Sequence, residues 1–197
     1  FGALDANTTA SHNTGVGYNV LSANTTATQN IAMGSYALDA NTTGDANTAV
    51  GYDALTANTI GAYNVAVGRD ALKANTTAAY NVGIGMDAVT ANTTGNGNIG
   101  IGQGALEKNT TASYNVAVGY SALGNNTTGT NNVASGYKAL NANTNAGNNT
   151  AIGDWALALN TTGAENVGVG AEVLKANTTA SNNTAVGYGA LAANTTG

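Results

Sequence analysis

The sequence predicts an all-β protein, a parallel β-solenoid built of 17-residue rungs, on three observations. An Asn recurs every 17 residues, at Asn13, Asn30, Asn47, Asn64, Asn81, Asn98, Asn115, Asn132, Asn149, Asn166 and Asn183. A second Asn recurs eleven places further on, from Asn7 and Asn24 through to Asn194. Between the two the chain repeats a unit close to N-[TVI]-[AG]-V-G-Y-x-A-L-x-A-N-T-T-[GA]-x-x. A fixed period in this range marks one supersecondary unit stacked on its neighbours into a rod. Residues 1–197 therefore form a single array of about 11.6 repeats. Columns are numbered here from the first Asn, so that Asn13 is column 1, Asn24 column 12 and Gln29 column 17.

Each column has its own physical reading. Column 2 is always β-branched, column 3 is only Gly or Ala, and column 4 is Val or Ile except at Met33 and Ser135. Large–small–large predicts a short strand over columns 2 to 4. The sequence reading buries columns 2 and 4 together with the Leu of column 9, and leaves the flat column 3 outside. Column 5 is Gly in every complete repeat, for a turn that other residues follow poorly. Columns 6 to 11, Y-x-A-L-x-A, fit one helical turn by propensity; a second strand over columns 8 to 14, A-L-x-A-N-T-T, fits equally and is preferred because every rung has to stack in register. Column 15, Gly or Ala, marks a second corner.

Charged residues keep to a few columns. Asp53, Asp70, Asp87, Lys138 and Glu172 share column 7, and Asp5, Asp39, Lys73, Glu107 and Lys175 share column 10. Columns 1 to 5 and 12 to 15 carry none, so the first set is read as facing water and the second as packed. With 5 Lys+Arg against 10 Asp+Glu the net charge is −5, a thin acidity that argues against nucleic acid and against an anionic membrane surface. No apolar run is long enough to insert in a membrane. Cysteine is absent, which rules out disulfides and thiolate metal sites. His12 is the only histidine, so no Ser/His dyad or repeated metal site is expected. No enzyme activity and no cofactor are expected.

At N-[TVI]-A-V-G-Y-x-A-L, clearest at 115–123 (NVAVGYSAL) and 183–191 (NTAVGYGAL), the chain resembles two groups of extracellular fibre proteins. One is the head repeats of trimeric autotransporter adhesins. The other is the repetitive tail-fibre-like proteins of phages and bacteria, a closer likeness because it includes the NTTG corner at 126–129 and 160–163. The likeness covers essentially the whole chain, although the 17-residue unit is longer than the usual adhesin-head repeat. It implies a homotrimeric shaft at a cell or virion surface, with any cell-surface or glycan receptor met by parts outside this sequence. The chain starts in mid-repeat and neither end differs from the interior. A self-sufficient solenoid has atypical caps, so the sequence is read as a section of a longer fibre. The trimer is placed on the flat column 3.

Three repeated features are candidate sites. Asn-x-Thr makes Asn7, Asn24, Asn41, Asn75, Asn92, Asn109, Asn126, Asn160, Asn177 and Asn194 N-glycosylation acceptors by pattern, with stray matches at Asn125, Asn148 and Asn182. The competing account is a ladder of stacked amides. It is favoured because Asn58 and Asn143 keep the Asn where the acceptor pattern is lost, and because column 1 never has the pattern. Ranked threonines in columns 13 and 14 raise an ice-binding reading, although adjacent strand residues point oppositely and only one rank faces out. Tyr18, Tyr52, Tyr120, Tyr137 and Tyr188 in column 6, with Tyr63, Tyr80 and Tyr114 in column 17, raise a carbohydrate-binding reading against simple coverage of corners. Asp53, Asp70 and Asp87 would stack and attract a cation, but a solvated edge is the expected role. Trp155 is expected to be exposed.

Overall fold

The computed structural model describes residues 2–195; Phe1, which the sequence groups with the Tyr column, lies outside them. Eleven strands, β1 (Thr14–Val16), β2 (Ile31–Met33), β3 (Thr48–Val50), β4 (Val65–Val67), β5 (Val82–Ile84), β6 (Ile99–Ile101), β7 (Val116–Val118), β8 (Val133–Ser135), β9 (Thr150–Ile152), β10 (Val167–Val169) and β11 (Thr184–Val186), form one parallel sheet in sequential order. Every pairing is offset by one repeat, as in Thr48↔Val65, Ala49↔Ala66 and Val50↔Val67. The result is a β-solenoid of 17-residue rungs in which columns become continuous vertical rows.

The strands occupy columns 2 to 4 and end on the Gly of column 5, whose φ runs from +123° to +144°. A Cβ on Gly68 would lie 2.5 Å from the carbonyl oxygen of Gly85 one rung on. Both the dihedral and the close approach of backbone to backbone demand Gly there.

Columns 6 to 14 are neither helix nor strand, which corrects the second strand expected over columns 8 to 14. They form successive turns, with left-handed residues at columns 7 and 9, as at Tyr36 (φ 62°) and Leu38 (φ 52°). Turn bonds run from Ala37 N–H to the Gly34 carbonyl (3.3 Å) and from Asn41 N–H to the Leu38 carbonyl (3.2 Å). The backbone still pairs between rungs, Leu38 N–H donating to the Ala54 carbonyl (3.0 Å) and Asp53 N–H to the Ser35 carbonyl (3.1 Å). Register is therefore kept without extended geometry.

The polarity of the strand is the reverse of the one expected. Column 3 is the inward position: Ala32, Ala49, Ala66, Ala117, Ala134 and Ala151 have no exposed surface. They pack with the column 8 Ala and the column 9 Leu to make the core. Columns 2 and 4 point outward, with Ile31 44%, Val118 38% and Ile152 42% exposed. The interior is thin, and a Cβ on Gly100 would come within 2.5 Å of Val89 Cγ2. Only a hydrogen or a methyl fits opposite the column 9 side chain, so the large residues are displaced to the outside.

No charged side chain is buried among the described residues; the buried polar set is entirely Asn. The charged columns do face water. The uncharged ones divide, because columns 2, 4 and 14 are half-buried or exposed.

Candidate functional site

The two Asn columns carry the interior polar chemistry. In column 12 the amides from Asn24 to Asn177 bridge rungs and close their own corners, whereas Asn7 Oδ1 in the first register has no hydrogen-bond partner among the described residues. Asn75 Nδ2 donates to Asn58 Oδ1 (2.9 Å) and to the Ala78 carbonyl (3.0 Å), and Asn75 Oδ1 accepts from Asn92 Nδ2 (3.1 Å). The pattern recurs at Asn109, Asn126 and Asn143. Column 1 is wired differently. Asn47 Oδ1 accepts the backbone N–H of Asn64 (3.0 Å), while Asn47 Nδ2 donates to the Gly61 carbonyl (2.8 Å) fourteen residues on. One side chain thus joins the start of a strand to the second corner and to the next rung. Asn13 and Asn183, in the outermost registers, are half-buried, and the column 1 Asn between them are fully buried.

The acceptor-pattern residues sit in this same interior. Asn24, Asn41, Asn75, Asn92, Asn109, Asn126, Asn160 and Asn177 have no exposed surface, and each donates Nδ2 to the carbonyl three residues on. Asn7 and Asn194, nearest the ends, are half-buried, and the pattern of Asn194 extends to Thr196, outside the described residues. Of the stray matches, Asn125 is half-buried while Asn148 and Asn182 are exposed.

The threonine columns are unequal. Column 13 hydroxyls are spent on the ladder, Thr42 donating to the Thr59 carbonyl (3.0 Å) and Thr110 to the Thr127 carbonyl (3.2 Å). Column 14 is exposed, but Ile60 and Asn145 interrupt its Thr rank.

Asp53, Asp70 and Asp87 are brought together with cations rather than left as an anionic row. Lys73 Nζ lies 2.8 Å from Asp53 Oδ2 and 2.9 Å from Asp70 Oδ1, and Arg69 reaches Asp70 and Asp87. The hydrogen bond to Asp53, then that to Asp70, holds the Lys73 ammonium pKa above its ordinary value. No group of three or more His, Cys, Asp or Glu able to hold a metal ion occurs among the described residues.

The geometry also reveals a rule that column reading missed. A column 10 side chain reaches column 7 of its own rung, three residues back, and column 7 of the preceding rung, twenty back. Lys73 does so with Asp70 and Asp53. Lys175 does so with Glu172 (3.4 Å) and with the ring of Trp155 (5.4 Å). Listing residue types at separations of 3 and 20 would have found both sets.

Aromatic side chains form three short groups. Tyr36 of column 7 bridges Tyr18 and Tyr52 edge-on, at 5.5 and 6.0 Å between ring centroids, and desolvation leads the causes that raise its phenol pKa. Tyr63 and Tyr80 stack at 5.2 Å. Tyr120 and Tyr137 stack at 5.3 Å, and Trp155 meets Tyr137 edge-on at 5.6 Å. Trp155 is half-buried rather than exposed, because Tyr137 and two lysines cover it. His12 is exposed in a corner with φ 61°. Compared with protein-family models, with curated proteins and with solved structures, the chain matches none of them.

Proposed function

We propose that this chain is a structural shaft segment of an extracellular fibre or filament, a homotrimer displayed at a cell or virion surface, with no catalytic role. The observation that carries the reading is the largely apolar face made by columns 2 and 4 along β1 to β11, in which column 2 is Val or Ile except at Thr14, Thr48, Thr150 and Thr184. Column 4 holds Val16, Met33, Val50, Val67, Ile84, Ile101, Val118, Ile152, Val169 and Val186, interrupted only by Ser135. Strand propensity alone would accept Thr there as readily as Val, yet column 4 never has Thr. A long exposed apolar strip marks an interaction surface. Because column 3 is inside, the partner copies meet on columns 2 and 4.

Magnitude favours a long contact. Covering the exposed part of two such side chains is worth about 1–2 kcal/mol per rung, a fraction of the roughly 1.5–3 kcal/mol for complete burial of each. One rung cannot offset the roughly 4–15 kcal/mol of lost rigid-body freedom, whereas a row of rungs in line can. Self-association of this kind stiffens a rod and grows with its length, which is what a spacer needs. Size-exclusion chromatography with light scattering tests it: three times the 19.3 kDa chain mass is expected. Val116→Lys with Val118→Lys should lower that mass while leaving the circular dichroism unchanged. A folded parent protein that is monomeric at micromolar concentration overturns the proposal.

A further inference from the structure

The group around Trp155 has a chemistry that the shaft role does not use. Trp155 is the only Trp of the chain. Two ammonium groups converge on its ring, Lys138 Nζ at 4.9 Å and Lys175 Nζ at 5.4 Å from the centroid, and Lys138 also lies 5.5 Å from the centre of Tyr137. Like charges within one Debye length repel unless an anion joins them. Elsewhere in this acidic chain cations are matched: Lys73 and Arg69 by three aspartates, and Lys108 by Asn125 Oδ1 at 2.8 Å. Here Lys175 has Glu172, but Lys138 has no carboxylate and no hydrogen-bond acceptor among the described residues. Beside them, Tyr120 and Tyr137 are 45% and 44% exposed, and neither hydroxyl is hydrogen-bonded among the described residues.

We infer that Tyr120, Tyr137, Trp155, Lys138 and Lys175 form a side-wall binding site for a carboxylate-bearing oligosaccharide. Aromatic side chains present an apolar body and a polar tip, which suits the C–H face and the hydroxyls of a pyranose. The paired ammonium groups take its carboxylate through charge-assisted hydrogen bonds. From the rung of Tyr120 to that of Lys175 is three spacings, about 14 Å at roughly 4.8 Å each, the span of a short oligosaccharide. The residues belong to one chain and to columns 6, 7 and 10, none to columns 2 and 4. The site therefore stands whether or not the shaft reading does.

Because Trp155 is single, its fluorescence reports this site alone. The full chain is titrated with trigalacturonate and with sialyllactose, which carry their carboxylates on different sugar carbons, and with the neutral α-1,4-linked galactotriose and lactose. Saturation-transfer NMR on the same samples serves as a second readout. The expected result is a saturable emission change with at least one acidic sugar, and about tenfold weaker binding of its neutral counterpart. Added salt should weaken the acidic complex. Lys138→Ala, checked for unchanged circular dichroism, should weaken it about tenfold, the equivalent of about 1.4 kcal/mol, and Lys138→Arg should restore it. Absence of binding by both readouts overturns the inference. So does equal binding of acidic and neutral sugars, or acidic-sugar binding unchanged in Lys138→Ala.

Discussion

Replacing Asn75 by Ala removes one link from the middle of the column 12 ladder, and the structure sets what is lost. The side chain makes three hydrogen bonds: as donor to Asn58 Oδ1 and the Ala78 carbonyl, and as acceptor from Asn92 Nδ2. Asn58, Asn75 and Asn92 are all shut off from solvent, so the truncation orphans one acceptor, Asn58 Oδ1, and one N–H of Asn92 where water does not reach, while the Ala78 carbonyl keeps its bond from Asn64 Nδ2 (2.9 Å). At about 1–3 kcal/mol per orphaned buried group, the loss is roughly 2–6 kcal/mol before any cavity is counted. Thr77→Ala, two positions on and exposed, should stay within about 0.5 kcal/mol. Urea denaturation of both variants at one fixed protein concentration makes the comparison, since association shifts apparent stability. A repeat array need not melt as one unit, so amide exchange at Leu72 and Val89 should read the local loss beside the site. Asn75→Asp sharpens the test. Its carboxylate sets an acceptor against Asn58 Oδ1 and the Ala78 carbonyl, so the folded state raises its pKa above the unfolded value of about 3.9. The variant should be nearest to parental stability below that pH and lose stability as pH rises through the raised folded value. If Asn75→Ala costs no more than Thr77→Ala, the amides are not what joins the rungs, and the reasoning fails.

Two glycine columns should respond oppositely to a methyl group. Gly68→Ala places a side chain at φ +134° against the Gly85 carbonyl, and a loss above about 3 kcal/mol by denaturation is expected. Gly61→Ala should cost under about 1 kcal/mol despite a built Cβ only 2.3 Å from the Ala78 carbonyl, because column 15 holds Ala at Ala27, Ala78, Ala112, Ala146 and Ala180; equal losses would refute the distinction. Lys73→Met should cost within about 1 kcal/mol at neutral pH, as expected for a part-exposed ion pair. Its folded pKa is raised, so the contribution is complete below the unfolded value of about 10.4 and is lost as pH rises through the folded one; a gap to the parent that narrows between pH 7 and 10 would contradict this.

The rung register, the three-residue strand, the Gly corner and the outward charge columns were all legible, because each is a statement about period or about a residue's intrinsic limits. Two features were not. The left-handed conformation of column 9 carries no sequence mark, since Leu has no preference for positive φ, and that of column 7 carries only a partial one: Asn19, Asp53, Asp70, Asp87, Gly104 and Gly189 favour it, whereas Tyr36, Lys138 and Trp155 do not. Their conformation is imposed by the need to bring the chain round in 17 residues, a global constraint invisible to local propensity. The polarity of columns 2 to 4 was a different failure, one of interpretation.

Alternation fixes that two faces exist but not which is inside, and hydrophobicity then assigned the larger residues to the core. Variation within a column is the better guide. A packed interior is intolerant of volume change, and column 3 admits only the two smallest residues. Column 4 passes from Ser135 to Met33, and column 2 exchanges Val65 for Thr48 with no compensating change in column 3. Such tolerance belongs to a surface. Uniform smallness belongs to a space bounded on its far side, here by Leu72 and its column, whose Cγ lies 3.2 Å from where a Cβ on Gly83 would stand. In the proposed shaft, the apolar residues of columns 2 and 4 would be covered by a neighbouring copy, whose rungs would match the spacing along the whole face.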